Sequence, residues 1–425
     1  MADRLVIRRN GPLRGTITAH GAKNAVLPIM AACLLTDEPS IIENVPRVAD
    51  VVSMIEILRQ LGVTVSFTGD RLVIAPSGYT GTEASYDLVS RMRASICVLG
   101  PLLAKHGKAH VSMPGGCVIG PRPVDLHLKG LQALGAVFSI EHGYIVGTAR
   151  ELRGTRLHLS GAFGSSVLAT GNVMMAATLT KGTTVIESAA CEPEVIDLAN
   201  FLNAMGARID GQGGPVIRVE GAAALHGVRY RIIPDRIETG TLMIAAAISG
   251  GDVTIEDART EHLGAVIDKL SEAGVGVEKR NGSVRVWAPH PVTAVDVTTL
   301  PFPGFPTDLQ AQMMALMAVS RGVSVLTEKV YPERFMHISE LNRMGASIAR
   351  EGSSAIVKGV EHLSGAPVTG SDLRASAALV LAGLTADNQT ELHGLEHLDR
   401  GYEGFEGQLR QLGADITRVS GAEQD

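Results

Sequence analysis

Apolar and polar positions follow one pattern that recurs along the chain. Six times, a stretch with helical spacing of apolar residues reaches a glycine and then changes to strict alternation, as in RQLGVTV and NRMGASI. Intervals of 68 to 73 residues separate these glycines, which are Gly62, Gly135, Gly206, Gly274, Gly345 and Gly413. Because many helices end next to a residue with positive φ, each glycine predicts a helix end followed by a strand.

A second pattern recurs in step with the first. It consists of an alanine-rich apolar stretch, a short polar turn and a β-branched stretch, as in MAATLTKGTTVIES. Two markers in step predict six repeats of about 70 residues, each with two helices and several strands, in a mixed α/β (α+β) fold. We expect two lobes of three repeats, one formed by residues 23–232 and the other by residues 1–22 plus 233–425.

Composition narrows the class of protein. A chain of 425 residues with 45% hydrophobic and 19% charged residues is long and apolar enough to form two or three folded domains. Its net charge of −6 argues against a nucleic-acid-binding surface, which is usually basic. No apolar stretch approaches the 18 or so residues of a membrane span, and the N-terminus lacks the pattern of a signal peptide. We therefore expect a cytoplasmic protein without membrane insertion.

Neither a metal nor a cofactor is expected. The four cysteines show no CxxC spacing, and the chain contains no P-loop, dinucleotide-binding fingerprint or nucleophile elbow. His393 and His397 are four residues apart, but Gly394 argues against a metal-binding helix between them. Cys33 and Cys97 lie in apolar runs and are predicted to be core residues.

The start of the first helix in each repeat suggests a ligand site. These helices are apolar on all sides, which predicts burial, yet each begins with polar residues. Lys23, Arg93 and Arg374 add cations at three of these starts. Since helix N-termini also favour anions, the repeat suggests a site for a highly anionic small ligand. The alternative is that these are ordinary polar residues of a first turn.

Three further positions are candidates for chemistry. Cys117 lies in a glycine- and proline-rich loop near Arg122, where a thiol is either a proton donor or nucleophile or an incidental loop residue. Asp308 precedes an apolar helix and is either a base or a charge that stabilises the helix start. Nearby cations and the helix end would lower its pKa and weaken it as a base. Arg400, in a loop before the last helix, either reaches the cleft between the lobes or is solvated.

Together these stretches resemble the enolpyruvyl transferase family. The resemblance covers nearly the whole chain and is carried by GAKNAVLPI, RMRASI, PGGCVIGPRPVDLH, CEPEVIDLANFLNAMGA, PDRIETGT, FPTDLQAQ, ERFMHISELNRMGA, DLRASAALVLAG and HLDRGYEGFE. It implies a two-lobed inside-out α/β barrel, or prism, with three repeats in each lobe.

The resemblance also implies a reaction. The enolpyruvyl group of phosphoenolpyruvate would be transferred to the 3-hydroxyl of UDP-N-acetylglucosamine by addition and elimination of phosphate, the first committed step of peptidoglycan precursor synthesis. Cys117 would be the general acid, and Asp308 would accept or orient the hydroxyl proton. Lys23, Arg122 and Arg400 would bind phosphoenolpyruvate with help from Arg374. The residues implied for the UDP-sugar are Asn24, Arg93, Arg122, Pro123, Val124, Asp125, Leu126, Gly164, Ser165, Ser166, Val167, Asp308 and Val330.

Two departures from the family pattern keep alternatives open. Leu168 stands where family members commonly have glycine, and Gly164 stands where a lysine is often found. A related enolpyruvyl transferase with another nucleotide acceptor is therefore one alternative. A non-catalytic protein that binds UDP-sugars on the same scaffold is another, although a sensor would not need the proton donor Cys117. The PGGC loop argues against a 3-phosphoshikimate acceptor.

Overall fold

A computed structural model describes residues 3–114, 124–162, 164–288 and 291–421. These residues form two compact units. The continuous unit lies between Gly21 and Ile233, and the discontinuous unit combines the chain up to His20 with the chain from Pro234 onward. None of the helices in these ranges is long and apolar enough to cross a lipid bilayer.

The described ranges contain fourteen α-helices, numbered in chain order. They are α1 Lys23–Ala32, α2 Ala49–Gln60, α3 Tyr86–Val89, α4 Leu99–His106, α5 Asp125–Ala133, α6 Val167–Ala177, α7 Pro193–Ala204, α8 Arg236–Ile248, α9 Gly264–Glu272, α10 Gln310–Ala318, α11 Ile338–Arg343, α12 Leu373–Gly383, α13 Leu395–Leu398 and α14 Phe405–Gln411. Short 3₁₀ helices span Cys33–Leu35, Arg93–Val98, Thr260–His262 and Thr307–Leu309.

The same ranges contain 26 strands, also numbered in chain order. They are β1 Arg4–Arg8, β2 Arg14–Thr18, β3 Ser40–Glu43, β4 Thr64–Thr68, β5 Arg71–Ala75, β6 Glu83–Ala84, β7 Lys108–Ser112, β8 Val137–Glu141, β9 Tyr144–Thr148, β10 Arg156–His158, β11 Ser160–Gly161, β12 Gly164–Ser165, β13 Thr183–Glu187, β14 Arg208–Asp210, β15 Val216–Glu220, β16 Arg229–Arg231, β17 Asp252–Glu256, β18 Gly276–Arg280, β19 Ser283–Trp287, β20 Val297–Thr299, β21 Val323–Glu328, β22 Ser347–Glu351, β23 Ser354–Lys358, β24 Pro367–Thr369, β25 Gln389–His393 and β26 Asp415–Val419.

Within the described residues, all but β11 and β12 belong to six four-stranded sheets of one topology. Each sheet has a parallel pair at one edge followed by two antiparallel pairings. The continuous unit contains the sheets β16-β3-β5-β4, β6-β7-β9-β8 and β10-β13-β15-β14. The discontinuous unit contains β18-β19-β17-β2, β20-β21-β23-β22 and β24-β25-β1-β26.

The two N-terminal strands complete sheets of the discontinuous unit. In the sheet β24-β25-β1-β26, β1 lies between two strands from the far end of the chain, with Leu5 opposite both Leu392 and Arg418. Strand β2 pairs in parallel with β17. The first 20 residues are therefore held in place by residues that follow the whole continuous unit.

Apolar helices form the centre of each unit, as their sequences predict. In the discontinuous unit every residue of α10 is buried, and α8 and α12 are buried along nearly all their length. These three helices pack on one another, and the apolar faces of the three sheets cover them. A mixed α/β fold with helices inside and sheets outside is thus confirmed. Cys33 and Cys97 are fully buried, and burial raises the pKa of each thiol to about 12.

The six repeated glycines adopt the predicted conformation. Each lies two residues beyond the end of a helix and has a φ between 87° and 108°. The helices that end there are α2, α5, α7, α9, α11 and α14, and a strand begins two residues after each glycine. A left-handed residue ends each helix and reverses the chain so that the strand can return along the sheet.

Candidate active site

In the continuous unit, Lys23 forms a buried ion pair at the start of α1. Its Nζ donates to Asp50 Oδ2 at 2.9 Å, and the two side chains are 8% and 4% exposed. The positive charge of Lys23 interacts unfavourably with the dipole of α1, because a helix N-terminus is itself partly positive. The negative charge of Asp50, in the first turn of α2, interacts favourably with the dipole of that helix. Asp50 therefore compensates a lysine whose position alone is unfavourable for the stability of α1.

Arg93 begins a 3₁₀ helix next to a buried polar network, rather than an α-helix as its repeat position suggested. His127 Nδ1 lies 3.0 Å from Asn172 Nδ2, and the same amide group bonds Ile96 O and Gly100 N. Burial, together with a smaller effect of the positive charge of Arg93, lowers the pKa of His127 to about 3. The network joins the segment that carries Arg93 to α5 and α6.

Two of the segments predicted to bind the UDP-sugar are neighbours in this unit. Val124 is buried and Leu126 half-buried, and a Cβ added to Gly161 would lie 3.4 Å from Leu126 Cδ1, an ordinary van der Waals contact. Gly161 pairs with Gly164 in the β11–β12 hairpin, so the two predicted segments are neighbours. Asp125 is exposed in the first turn of α5, and Asn24 is half-buried in α1.

The end of that hairpin leads directly into α6. Ser165 and Val167 are half-buried, and the Ser166 hydroxyl caps the helix by accepting from Ala169 N at 3.3 Å. Leu168 packs against the core of the unit. The predicted residues Cys117, Arg122 and Pro123 lie outside the described residues.

In the discontinuous unit, Asp308 accepts hydrogen bonds from two buried guanidinium groups. Arg334 Nη1 donates to Oδ1 at 2.7 Å, and Arg374 Nη2 donates to Oδ2 at 3.0 Å. The arginine side chains are 5% and 3% exposed, against 26% for Asp308. Burial alone would lower the pKa of Arg374, but Asp308, Tyr402 and Asp235 together outweigh burial and raise the pKa above its usual range. Asp308 lies in the 3₁₀ turn before α10 and not in the helix itself.

Tyr402 ties the turn that carries Arg400 to the buried helices. Arg400 is half-buried in the turn after α13. The Tyr402 ring lies 5.4 Å from the guanidinium carbon of Arg374, and its hydroxyl bonds Thr241 and Gln312. Gln312 also donates to the carbonyl of Asp308 at 3.0 Å. One network thus connects the segments that carry Asp308, Arg374 and Arg400.

Val330 lies in the turn after β21, held by a buried carboxylate. Its N–H and that of Tyr331 both donate to Glu328 Oε1 at 2.9 Å. Oε2 of Glu328 accepts from the Thr307 hydroxyl at 2.8 Å. Thr307 directly precedes Asp308, so Glu328 contacts the segments of two predicted residues.

The EPSP synthase (3-phosphoshikimate 1-carboxyvinyltransferase) family model matches residues 7–409. This chain belongs to that family. The chain is 51% identical to the UDP-N-acetylglucosamine 1-carboxyvinyltransferase of Methylacidiphilum infernorum, over 98% of this chain and 99% of the relative. It is 52% identical to UDP-N-acetylglucosamine 1-carboxyvinyltransferase 1 of Caldanaerobacter subterraneus subsp. tengcongensis, over 98% of this chain and 100% of the relative. The predicted resemblance to enolpyruvyl transferases is confirmed.

Solved structures of the family share the fold. The enolpyruvyl transferase NikO from Streptomyces tendae superposes with a TM-score of 0.89 at 26% identity, covering 99% of this chain and 100% of that one. An EPSP synthase from Acinetobacter baumannii gives a TM-score of 0.75 at 18% identity over 98% of this chain and 100% of that one, which is a likeness of fold alone.

Three residues that contact predicted site residues or their segments are not predicted from the sequence. They are Asp50, Arg334 and Glu328, none of which is singled out by a motif or by the repeat. Arg334 does lie in the ERFMHISELNRMGA stretch that carries the family resemblance, which was the available signal. Nothing in the local pattern distinguishes Asp50 or Glu328, because their partners are distant in sequence.

Proposed function

We infer that this chain transfers the enolpyruvyl group of phosphoenolpyruvate to the 3-hydroxyl of UDP-N-acetylglucosamine and releases phosphate. The observation that carries this inference is identity above 50% over 98% of the chain to relatives named for that activity. The sequence also contains Lys23, Cys117, Asp308 and Arg400, to which the family resemblance implies roles in this reaction.

The charges of the proposed site suit phosphoenolpyruvate. A phosphate monoester carries about −1.5 to −2 charges at pH 7, and the carboxylate adds another. Lys23, Arg122 and Arg400 supply cations for it, and Arg374 supports them from its pair with Asp308. Arginine can bond a phosphate or a carboxylate with two parallel donors, which fixes orientation as well as charge.

The proposed chemistry is an addition followed by an elimination. The Cys117 thiol gives a proton to C3 of phosphoenolpyruvate while the sugar oxygen bonds to C2 and passes its own proton, which Asp308 accepts or orients, to the phosphate group that later leaves. The C2–O bond to phosphate then breaks, and C3 returns a proton to the Cys117 thiolate, which restores both the double bond and the thiol. The UDP-sugar is held by Asn24, Arg93, the 122–126 segment, the 164–167 segment and Val330.

Asp308 is better suited to orient the acceptor hydroxyl than to take its proton. Hydrogen bonds from Arg334 and Arg374 favour the ionised carboxylate, and an acceptor so well stabilised is a weak base. Its two oxygens are also fixed in direction by those bonds. We therefore assign it positioning of the hydroxyl as its larger role.

Phosphate release in the presence of different acceptors tests this function. We expect phosphate from phosphoenolpyruvate on addition of UDP-N-acetylglucosamine, and none on addition of UMP or shikimate 3-phosphate. Cys117→Ser and Asp308→Ala variants run beside the wild type should lose this release. Nucleotide binding without phosphate release from any acceptor would contradict the proposal and favour a UDP-sugar sensor.

A second candidate is transfer to a different nucleotide acceptor. Gly164 supplies no positive charge at a position where family members often have a lysine. Its φ is 88°, and a Cβ there would contact nothing within 4 Å, so packing does not require a glycine at this position. Release of phosphate with UMP but not with the UDP-sugar would support this candidate.

We also propose a cytoplasmic location and a role in cell-wall synthesis, cell shape and division. Both proposed substrates are multiply charged small molecules that do not cross a bilayer unaided, so the enzyme must share their compartment. The same proposal makes Cys117 the site of alkylation by fosfomycin.

A further inference from the structure

Glu328 is a fully buried carboxylate at the end of β21 that lies outside the predicted set of site residues. Among the described residues, none of its contacts is an ion pair. A buried carboxylate without a cation is costly unless hydrogen bonds compensate it.

Four donors surround the carboxylate. Oε1 accepts from the Thr299 hydroxyl and from the N–H groups of Val330 and Tyr331, and Oε2 accepts from the Thr307 hydroxyl. All four are neutral groups from three different segments of the chain. Charge-assisted bonds of this kind are about twice as strong as neutral ones, so Glu328 joins these segments firmly.

The two oxygens lead to different parts of the proposed site. Through Oε1, Glu328 orients the turn that contains Val330, a proposed contact of the UDP-sugar. Through Oε2, it orients the Thr307 hydroxyl, which accepts from Arg334 Nη1 at 3.1 Å, and the same Nη1 donates to Asp308 at 2.7 Å. Both carboxylate oxygens are thus connected to residues that are proposed to bind the acceptor sugar.

We propose that Glu328 is a positioning residue for the acceptor substrate: it aligns Val330 with the Asp308–Arg334 pair. This proposal rests on the proposed function, because it takes Val330 and Asp308 as the contacts of the UDP-sugar. It predicts that loss of the Glu328 carboxylate alters acceptor kinetics more than phosphoenolpyruvate kinetics.

The test is steady-state kinetics of the full-length Glu328→Gln variant with both substrates. Glutamine keeps the volume but has one acceptor oxygen, so its amide nitrogen must face either the three Oε1 donors or the Thr307 hydroxyl. We expect kcat/KM for UDP-N-acetylglucosamine to fall about tenfold, the loss of roughly one hydrogen bond. KM for phosphoenolpyruvate should change by less than about twofold.

Thr307→Val tests the link through Oε2 and serves if Glu328→Gln folds poorly. Valine matches threonine in shape and removes only the hydroxyl, so the connection from Glu328 to Arg334 is cut. We expect the same selective loss in acceptor kinetics. The double variant should lose no more than the worse single variant, because both changes break one pathway.

Thr390→Val is the matched control for removing a buried hydroxyl. Thr390 lies in β25 of the same unit, is fully buried, and its hydroxyl has no hydrogen-bond partner among the described residues. We expect its kinetics to equal those of the wild type. Chemical denaturation of each variant separates kinetic effects from loss of fold.

The kinetic results distinguish failure of the Glu328 role from failure of the proposed function. Glu328→Gln and Thr307→Val variants that fold and match Thr390→Val in acceptor kcat/KM would overturn the role of Glu328 alone. Equal losses for both substrates would overturn it as well, since a general disturbance does not distinguish the acceptor. A wild-type protein that is inactive with UDP-N-acetylglucosamine would overturn the proposed function and this role together.

Discussion

Asp308 neutralises buried charge as well as serving the proposed chemistry. Its carboxylate is the hydrogen-bonded partner of two guanidinium groups that are almost inaccessible to water. Removing one member of a buried ion pair leaves a charge without compensation, which costs far more than the pair itself contributes. Stability and activity should therefore fall together at this residue.

We predict that Asp308→Ala lowers the free energy of unfolding by about 3 kcal/mol, measured by urea denaturation. Asp387→Ala is the control, because its pair with Arg9 is on the surface, with the two side chains 47% and 52% exposed. That change should cost less than about 1 kcal/mol. Equal costs for the two variants would contradict the compensating role of Asp308.

His127 should make the protein sensitive to acid. Burial and Arg93 keep its pKa near 3 in the folded chain, whereas the unfolded chain takes up the proton at a pKa of about 6.5. The unfolded state therefore binds more protons between pH 6.5 and 3, and stability falls by up to about 1.4 kcal/mol per pH unit in that range.

His127→Gln should flatten this dependence. Urea denaturation at pH 8 reports the packing cost of the change, and the same measurement at pH 5 adds the protonation effect. We expect the gap between the two pH values to be smaller in the variant than in the wild type. An identical gap would show that His127 is not the group responsible.

At the residue scale, the sequence predicts the functional groups but not their partners. Lys23, Arg374 and Asp308 stand out because they occupy equivalent helix starts in an apolar repeat. Asp50, Arg334 and Glu328 become recognisable only when packing brings distant segments together. The loop of Cys117 stays a prediction, since it lies outside the described residues.

Among elements, the helix ends are the most predictable feature. Hydrophobic period and glycine position together identify six helix–glycine–strand segments. The helix starts are less regular: Arg93 begins a 3₁₀ helix and Asp308 lies in a 3₁₀ turn before α10. Tertiary contacts decide these starts, because apolar residues suit either type of helix.

Two glycines of one element test the conformational explanation. Gly407 lies inside α14, while Gly413 follows its end with a φ of 100°, and a Cβ at either would contact nothing within 4 Å. Gly407→Ala should stabilise the protein by about 0.5–1 kcal/mol through helix propensity. Gly413→Ala should destabilise it by about 1–2 kcal/mol because alanine disfavours positive φ. Urea denaturation measures both, and effects of the same sign would contradict this explanation.

At the scale of the whole molecule, the two units differ in chain continuity. The continuous unit draws all its sheets and its core from one segment, residues 21–233. The discontinuous unit needs β1 and β2 from the N-terminus, and without β1 the strand β26 loses its pairing partner. Local patterns predict strands, but which sheet a terminal strand joins depends on this long-range closure.

Fragments of the chain should reflect this difference. We predict that residues 21–233 expressed alone fold cooperatively, as seen by circular dichroism during urea denaturation. Residues 234–425 alone should not, because two of the three sheets are incomplete. Joining residues 1–20 to the C-terminal end of that fragment through a flexible linker should restore a cooperative transition. Cooperative folding of 234–425 without them would contradict the importance of β1 and β2.

The central position of β1 also matters while the protein is being made. Leu5 leaves the ribosome long before Leu392, which lies opposite it in the sheet. At about 5–20 residues per second, the first strand waits roughly 20–80 s for its neighbours. During that interval the continuous unit can fold, while β1 still lacks both of its neighbours in the sheet.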